Sequence, residues 1–177
     1  MSKKETTVVN LESDYKDLEK QIREFIDKRS ESEQEIKYTA SIFLKWLKRK
    51  TEIVDNEGNF LMPEDEEKEL KRGTVVWIDF GFNIGDEFGG KHPAVIMRVS
   101  GAKVFVVPLS SQKPKNNGKQ YVKVDRVFEF PYKTRWVNVL NLVGLSVQRI
   151  DFDSKFGRVS GRILDKISNA ISEVGIK

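Results

Sequence analysis

The chain has 177 residues, of which 33% are charged, with one histidine and no cysteine. This composition excludes disulfides, thiol nucleophiles and sulfur-ligated metals, and the single histidine argues against a histidine-rich metal site. Residues 1–70 carry 13 Lys and Arg against 18 Asp and Glu, whereas residues 71–177 carry 18 against 9. An acidic segment is therefore joined to a basic one. The basic segment is suited to binding a polyanion, although ordinary solvated surfaces would show the same asymmetry.

The sequence contains neither a signal-peptide pattern nor a membrane-spanning stretch. The first fifteen residues, MSKKETTVVNLESDY, contain no apolar signal-like core, and no stretch approaches the ~20 apolar residues that span a bilayer. We expect a cytoplasmic protein without a membrane partner.

Two amphipathic helices are predicted first. Asn10 or Ser13 can cap a helix whose apolar residues recur in steps of four and three. These residues are Leu11, Tyr15, Leu18, Ile22 and Phe25. Ser30 followed by Glu33 forms a capping-box pattern that opens a second helix, and the two helices predict an antiparallel hairpin. The stripe is too short for a free coiled coil, so it needs its own second helix, the basic segment or a second copy of the chain to pack against.

The remaining elements are mostly strands. Residues 64–70 are highly charged and predict a linker or a short solvated helix. This segment divides the chain into an acidic helical hairpin (1–63), the linker (64–70) and a second domain (71–177). Strands are predicted at residues 74–80, 94–97, 103–109, 121–127 with a continuation to 132, and 136–143. A helix follows at 160–174 and stops at Gly175. Short strands at close spacing, ending in one helix, favour a small antiparallel barrel and an α+β class.

Polar residues at the predicted strand ends form the candidate site. The loop between the first two strands is rich in glycine and carries Glu87, Lys91 and His92, and a loop this long usually has a function. Ser110 and Ser111 follow the third strand, and Arg149 follows the fifth. A neutral imidazole with a pKa near ~6.5 can exchange a proton at physiological pH, and cations can stabilise a phosphate. These groups suit metal-independent RNA cleavage, but a lone histidine before a proline is also an ordinary loop residue.

Three sequence blocks carry a family resemblance. RGTVVWIDF, IGDEFGGKHPAVIM and FVVPLSSQ occur in that order, and LVGLSVQRID follows them before the last helix. This arrangement resembles the PemK/MazF family of toxin endoribonucleases, whose patterns are RGDIVWVDF, G-x-E-x-x-G-x-R-P-A-V-V, V-P-x-T-S/T and D-Q-x-R-x-I-D. The resemblance covers roughly residues 71–175 and does not reach residues 1–70.

The resemblance implies an SH3-like antiparallel barrel with a C-terminal helix, acting as a homodimer. It implies cleavage of single-stranded RNA, generally at a short preferred sequence, without a metal or other cofactor and under the control of a cognate antitoxin. Glu87 stands at the family's loop glutamate, and Pro93 stands at its loop proline. Ser110 stands at its catalytic threonine, and His92 stands at its catalytic arginine. The residues predicted to bind RNA are Lys91, Ser111, Gln112, Lys113, Lys115, Lys119 and Arg149.

Two departures from the family pattern leave alternatives open. His92 replaces an always-charged bidentate phosphate ligand with a group that is mostly neutral at pH 7, and Leu145 and Ser146 occupy the region of an expected aspartate. Either His92 acts as the general acid or base while Lys91 or Arg149 supplies the charge, or the site has lost cleavage and kept RNA binding.

Other interpretations give the chain different roles. A barrel without catalysis would bind RNA, or it would bind an antitoxin. Its phosphate-contacting surface would consist of Lys113, Lys115, Lys119, Lys123 and Arg126. A gyrase-directed poison is a third hypothesis, which the C-terminal GIK does not support and the glycine loop argues against. The acidic hairpin could cover the basic groove in cis, mediate dimerisation or delivery, or stabilise the fold. Cis-inhibition requires that removal of residues 1–63 increase activity.

Overall fold

Helix α1 spans Leu11–Ser30 and begins at a side-chain cap. The Asn10 side-chain oxygen accepts a hydrogen bond from the backbone N–H of Ser13 at 3.1 Å, which satisfies a free donor of the first turn. Asn10 is therefore the N-cap, and Ser13 lies inside the helix. These features belong to a computed structural model, which describes residues 10–176.

Helix α2 spans Gln34–Asp55 and does not begin at the predicted capping box. Ser30 is the last residue of α1, where its hydroxyl donates to the carbonyl of Asp27 at 2.9 Å. The capping-box prediction for Ser30 and Glu33 is wrong, because a serine hydroxyl can bond a preceding carbonyl within its own helix as well as cap the next one.

The chain divides into two units, residues 1–50 and residues 51–177. In the first unit, the apolar stripe of α1 is largely open: Leu11, Tyr15 and Leu18 are 76%, 59% and 56% exposed. At the other end of the stripe the Phe25 ring contacts Phe43 of α2, with ring centroids 5.0 Å apart. The two helices therefore contact each other through only part of the predicted stripe.

The second unit contains seven strands and two further α-helices. After a 3₁₀ turn at Glu57–Asn59, the elements are α3 (Glu64–Glu69), β1 (Thr74–Asp79), β2 (Lys91–Ser100), β3 (Lys103–Ser110), β4 (Tyr121–Val124), β5 (Arg135–Asn138), β6 (Val143–Ser146), β7 (Gly157–Arg158) and α4 (Gly161–Glu173). Two more 3₁₀ turns lie at Val139–Asn141 and Val147–Arg149. The Ser160 hydroxyl caps α4 by accepting from the N–H of Ile163 at 3.4 Å.

The strands pair antiparallel in the order β4-β5-β3-β2-β1-β7. Strand β3 is central: β2 pairs along one edge, and on the other edge β6 pairs with its first half and β5 with its last two residues. The result is a curled half-barrel with a C-terminal helix and N-terminal helices, which confirms the predicted α+β class.

Each face of the central strands contributes to its own core. Alternate residues of β1, β2 and β3, including Val75, Val95 and Val107, pack with Leu164 and Ile167 of α4. Their neighbours point the other way and form a second cluster with residues before β1 and after β6. That cluster includes Leu70, Val76, Ile78, Ala94, Ile96, Val106, Val147 and Ile150.

Several strands begin or end at residues other than those predicted. Strand β2 begins at Lys91 rather than at residue 94, because Pro93 is accommodated opposite Trp77. The strand predicted at 136–143 splits into β5 and β6, since the Asn138 side chain accepts from the N–H of Leu140 and starts a 3₁₀ turn. Strand β4 ends at Val124, and residues 128–132 contribute only the bridge between Phe128 and Arg158. The two-residue β7 is too short to leave an alternating pattern.

Candidate active site

The start of β2 and the segment around residue 150 lie on opposite sides of the end of β1. The register of β1 and β2 pairs Ile78 with His92 and Asp79 with Lys91. On the other side of β1, Ile78 forms a bridge with Ile150, and the N–H of Asp151 donates to the carbonyl of Trp77 at 2.9 Å. The candidate residues Lys91, His92 and Arg149 are thus brought to the same end of the sheet, although they are far apart in sequence.

The glycine loop, residues 80–90, is closed by backbone hydrogen bonds at its base. The N–H of Gly90 donates to the Gly81 carbonyl at 2.7 Å, and the N–H of Phe80 donates to the Gly90 carbonyl at 2.9 Å. The Asn83 amide donates across the loop to the Phe88 carbonyl at 2.5 Å. Because this closure ends at Gly90, the prediction that Lys91 and His92 belong to the loop is wrong. Both lie in β2, where strand pairing fixes their backbone.

The imidazole of His92 is half-buried. It lies on the same face of β2 as Ala94, which is the face that carries the second hydrophobic cluster. The ring meets the edge of Phe88 with centroids 4.8 Å apart, and Phe88 in turn packs against Phe80 at 5.1 Å. Burial lowers the pKa of the His92 imidazole, which is therefore mostly neutral at pH 7. Within residues 10–176 no side chain or backbone group is hydrogen-bonded to this ring.

Two cations lie at the same end of the sheet as His92, and both have partners within the protein. The Lys91 ammonium lies 2.7 Å from the Asp151 carboxylate. Arg149 donates from Nη1 to the Phe80 carbonyl at 3.2 Å. Burial lowers the pKa of the Arg149 guanidinium, and the nearby Asp79 carboxylate opposes that shift. Arginine stays protonated throughout the working pH range, so the site holds a partly desolvated positive charge.

Ser110 closes the site at the end of β3. Its hydroxyl oxygen accepts from the N–H of Gln112 at 3.0 Å, which leaves the hydroxyl hydrogen available to donate. The last pair between β2 and β3 is Ala94 with Pro108, and His92 and Ser110 each stand two residues beyond it at the same end. Alternation along each strand therefore places His92 and Ser110 on the same face of the sheet.

The other predicted site residues are exposed. Glu87 is exposed at the loop tip, where its carboxylate accepts from the N–H of Ile84 at 3.2 Å. The predicted RNA-binding residues of the turn between β3 and β4 are exposed, and they are Ser111, Gln112, Lys113, Lys115 and Lys119. The structure therefore places Lys91, His92, Ser110 and Arg149 at one end of the sheet, whereas Glu87 and the turn lysines are exposed on the loop and the turn.

Comparison with known proteins assigns the chain to a family. Residues 71–175 match the profile of the PemK-like, MazF-like toxin of type II toxin-antitoxin systems, and they are more than half of the chain. The chain belongs to the PemK/MazF toxin family. No curated protein matches it.

Solved structures of PemK/MazF proteins are distant from this chain in sequence. An endoribonuclease in complex with its cognate antitoxin from Mycobacterial species is 21% identical, with a TM-score of 0.45 over 60% of this chain and 95% of that chain. MazF (Form-I) from Deinococcus radiodurans is 15% identical, with a TM-score of 0.48 over 59% and 94%. MazE-MazF (Form-II) from Deinococcus radiodurans is 16% identical, with a TM-score of 0.44 over 60% and 96%.

Three residues of the candidate site were not predicted from the sequence. Asp79 lies opposite Lys91 and acts on the charge of Arg149, Asn83 braces the glycine loop, and Phe88 packs on the imidazole. Asp79 could have been predicted as a site residue, because it is a charged residue at the end of an otherwise apolar strand. The contacts of Asn83 and Phe88 depend on how the loop folds back, which no spacing in the sequence encodes.

A separate cavity of about 800 Å³ opens between α3 and residues 152–158. Its wall includes Glu69, Thr74, Phe128 and Arg158, and no predicted site residue lines it. Among residues 10–176 there is no group of three or more His, Asp or Glu side chains arranged to hold a metal ion. No helix in this part of the chain is long and apolar enough to cross a bilayer.

Proposed function

We propose that this chain is a toxin-type endoribonuclease that cleaves single-stranded RNA at a preferred sequence without a metal. The observation that carries the proposal is the placement of His92 and Ser110 on one face at adjoining strand ends, with Arg149 at the same end of the sheet. Family membership supports the reaction class, but function depends on the site rather than on the fold.

His92 is the proposed general base. A neutral imidazole can take the proton of a ribose 2′-hydroxyl, and burial favours the neutral form here. The 2′ oxygen then forms a bond to phosphorus while the bond to the 5′ oxygen breaks. The departing 5′ oxygen takes a proton from water, and the hydroxide that remains takes the proton held by His92, which restores the neutral imidazole. The products are a 2′,3′-cyclic phosphate and a 5′-hydroxyl.

Arg149 and Ser110 are the proposed electrostatic groups. The guanidinium stabilises the additional negative charge that develops on the phosphate oxygens, and partial burial strengthens this interaction. The Ser110 hydroxyl donates a hydrogen bond to one of the same oxygens. Lys91 can join them once a phosphate competes with Asp151 for its ammonium.

The proposed partners follow from the family, whose members are toxins of type II toxin-antitoxin systems. We propose a cognate antitoxin protein as regulator and a homodimer as the active form. We also propose that the working division of the chain is a hairpin at 1–63, a linker at 64–70 and a barrel at 71–177.

The test is incubation of the purified full chain with a long single-stranded RNA in EDTA. Wild type should cleave it, and His92→Ala and Ser110→Ala should each lose at least about 10²-fold in rate. Ser100→Ala is a matched control, because Ser100 is an exposed serine at the opposite end of β2. Absence of cleavage by wild type, or undiminished cleavage by both site variants, would contradict the proposal.

A second candidate is a barrel that binds RNA or an antitoxin without cleaving RNA. The observation in its favour is that the cations at the same end of the sheet as His92 already have partners: Lys91 is paired with Asp151, and Arg149 is bonded to Phe80. On this hypothesis, RNA affinity falls steeply with salt while the RNA stays intact in every buffer. The same incubation, read by gel and by binding, distinguishes the two candidates.

A further inference from the structure

The face of the sheet that carries Ser110 continues across two more strands. In the register of β3, β5 and β4, Ser110 stands opposite Trp136, and Trp136 stands opposite Lys123. The adjacent pair is Asn138 and Tyr121. Directly opposite residues of an antiparallel sheet share a face, so these five side chains form one surface, which we call the β5 platform.

The β5 platform is separated from the core by strand alternation. The intervening residues Leu109, Val122 and Val137 point to the other face and are buried in the first core cluster. Trp136 and Tyr121 are each half-buried. Within residues 10–176 neither ring stacks on another aromatic ring, whereas Trp77 lies 6.2 Å from Phe130 in a stacked arrangement.

Positive charge surrounds the β5 platform on the side of the β3–β4 turn. Lys113, Lys115 and Lys119 are exposed on that turn, which connects directly to the strands of the platform. Lys123, within the platform, is paired with Asp125 at 2.6 Å, so the turn lysines are the cations available for phosphates. Aromatic rings beside cations favour single-stranded nucleic acid, whose bases stack and whose phosphates need countercharge.

We propose that Trp136, supported by Tyr121, stacks on an unpaired base of single-stranded RNA and positions the adjoining phosphate at Ser110. The inference rests on the proposed function for its substrate, and it adds residues that the family resemblance did not assign. Trp136 is a positioning residue, because it holds the base beside the reacting phosphate and does not touch the reacting atoms. The lysines of the turn bind the phosphates that follow along the strand.

The binding test uses a short, uncleavable 2′-O-methyl RNA of mixed sequence and the full chain. Trp136→Leu should weaken binding about tenfold or more, because it keeps apolar volume and removes the stacking face. Trp136→Phe should retain most of the affinity, since it keeps a π face. Trp77→Phe is the matched control and should leave affinity unchanged, because Trp77 already stacks within the fold. Equal affinity of Trp136→Leu and wild type would overturn the proposal.

A fluorescence experiment can detect stacking on Trp136 without substituting that residue. In a Trp46→Phe, Trp77→Phe protein the only indole is Trp136, and stacking of a base on it should quench its emission in proportion to bound RNA. RNA binding without quenching would overturn the proposal even if Trp136→Leu failed to fold. Loss of affinity in Trp136→Leu, together with no RNA cleavage by wild type, would support the platform and contradict the nuclease.

Discussion

The Lys91 ammonium lies 2.7 Å from the Asp151 carboxylate, and this contact joins the first residue of β2 to the chain that follows Arg149. Asp151 also accepts from the Ser154 hydroxyl at 2.6 Å and from the N–H of Asp153 at 3.1 Å. One carboxylate therefore fixes the position of a cation next to His92 and the conformation of the segment after Arg149.

Asp151 gives the stability of the protein a specific pH dependence. Lys91, followed by Ser154, lowers the pKa of Asp151 below its ordinary value, so the folded state favours the carboxylate. This contribution is present above the unfolded-state pKa of about 3.9 and is lost as pH falls through the folded value. We predict that Asp151→Asn lowers the free energy of unfolding by about 1 kcal/mol at pH 7, with Lys91 largely exposed, and that the difference shrinks below about pH 4.

Urea unfolding at pH 7 and at pH 3 measures this difference. Asp153→Asn is the matched control, since Asp153 is exposed and contributes its backbone N–H rather than its carboxylate. A difference that is the same at both pH values would show that Asp151 does not act through its charge.

If His92 is the general base, the cleavage rate should fall as the imidazole becomes protonated at acidic pH. Burial lowers the pKa of His92 below 6.5, so the neutral imidazole is the main form from pH 7 upward. We predict a single-turnover cleavage rate that is flat above pH 7 and falls about tenfold per pH unit well below the pKa. His92→Gln should lower the plateau by about 10²-fold or more and remove the acid limb. An acid limb that survives in His92→Gln would assign the base to another group.

The sequence was informative about the barrel because its central strands are buried on both faces. The adjacent residues Val75 and Val76 and the run at residues 94–97 are apolar at consecutive positions because each side of the sheet carries a core. The site was only partly predictable. The pattern places Ser110 directly after a predicted strand, but it puts His92 in the loop, and the position of His92 relative to Ser110 depends on the register of β2 and β3, which alternation does not specify. The sequence predicts Trp136 only as a strand residue, and strand pairing places it opposite Ser110.

The charge of Arg149 should strengthen RNA binding, and the salt dependence of the affinity should show this contribution. Arg149→Gln removes a partly buried cation at the same end of the sheet as His92. We predict that affinity for uncleavable RNA falls about tenfold and that the log–log salt slope decreases by about 0.7. Arg162→Gln makes the same change at an exposed position on α4 and should alter neither quantity appreciably. Equal effects of the two substitutions would mean that RNA responds only to net charge. Melting curves should accompany both variants, because Arg149 also donates to Phe80.

Gly89 tests whether the closed base of the glycine loop matters to the site. A Cβ at Gly89 would lie 2.9 Å from the backbone oxygen of Gly81, and a backbone atom in a bonded loop cannot move aside cheaply. We predict that Gly89→Ala lowers the free energy of unfolding by about 1–2 kcal/mol and reduces cleavage, because the shift passes through Phe88 to the imidazole. Gly161→Ala is the control: its Cβ would meet open space at the first residue of α4, so alanine should be neutral or stabilise by up to about 1 kcal/mol. If Gly89→Ala unfolds and cleaves like wild type, the loop base tolerates opening and the position of His92 does not depend on it.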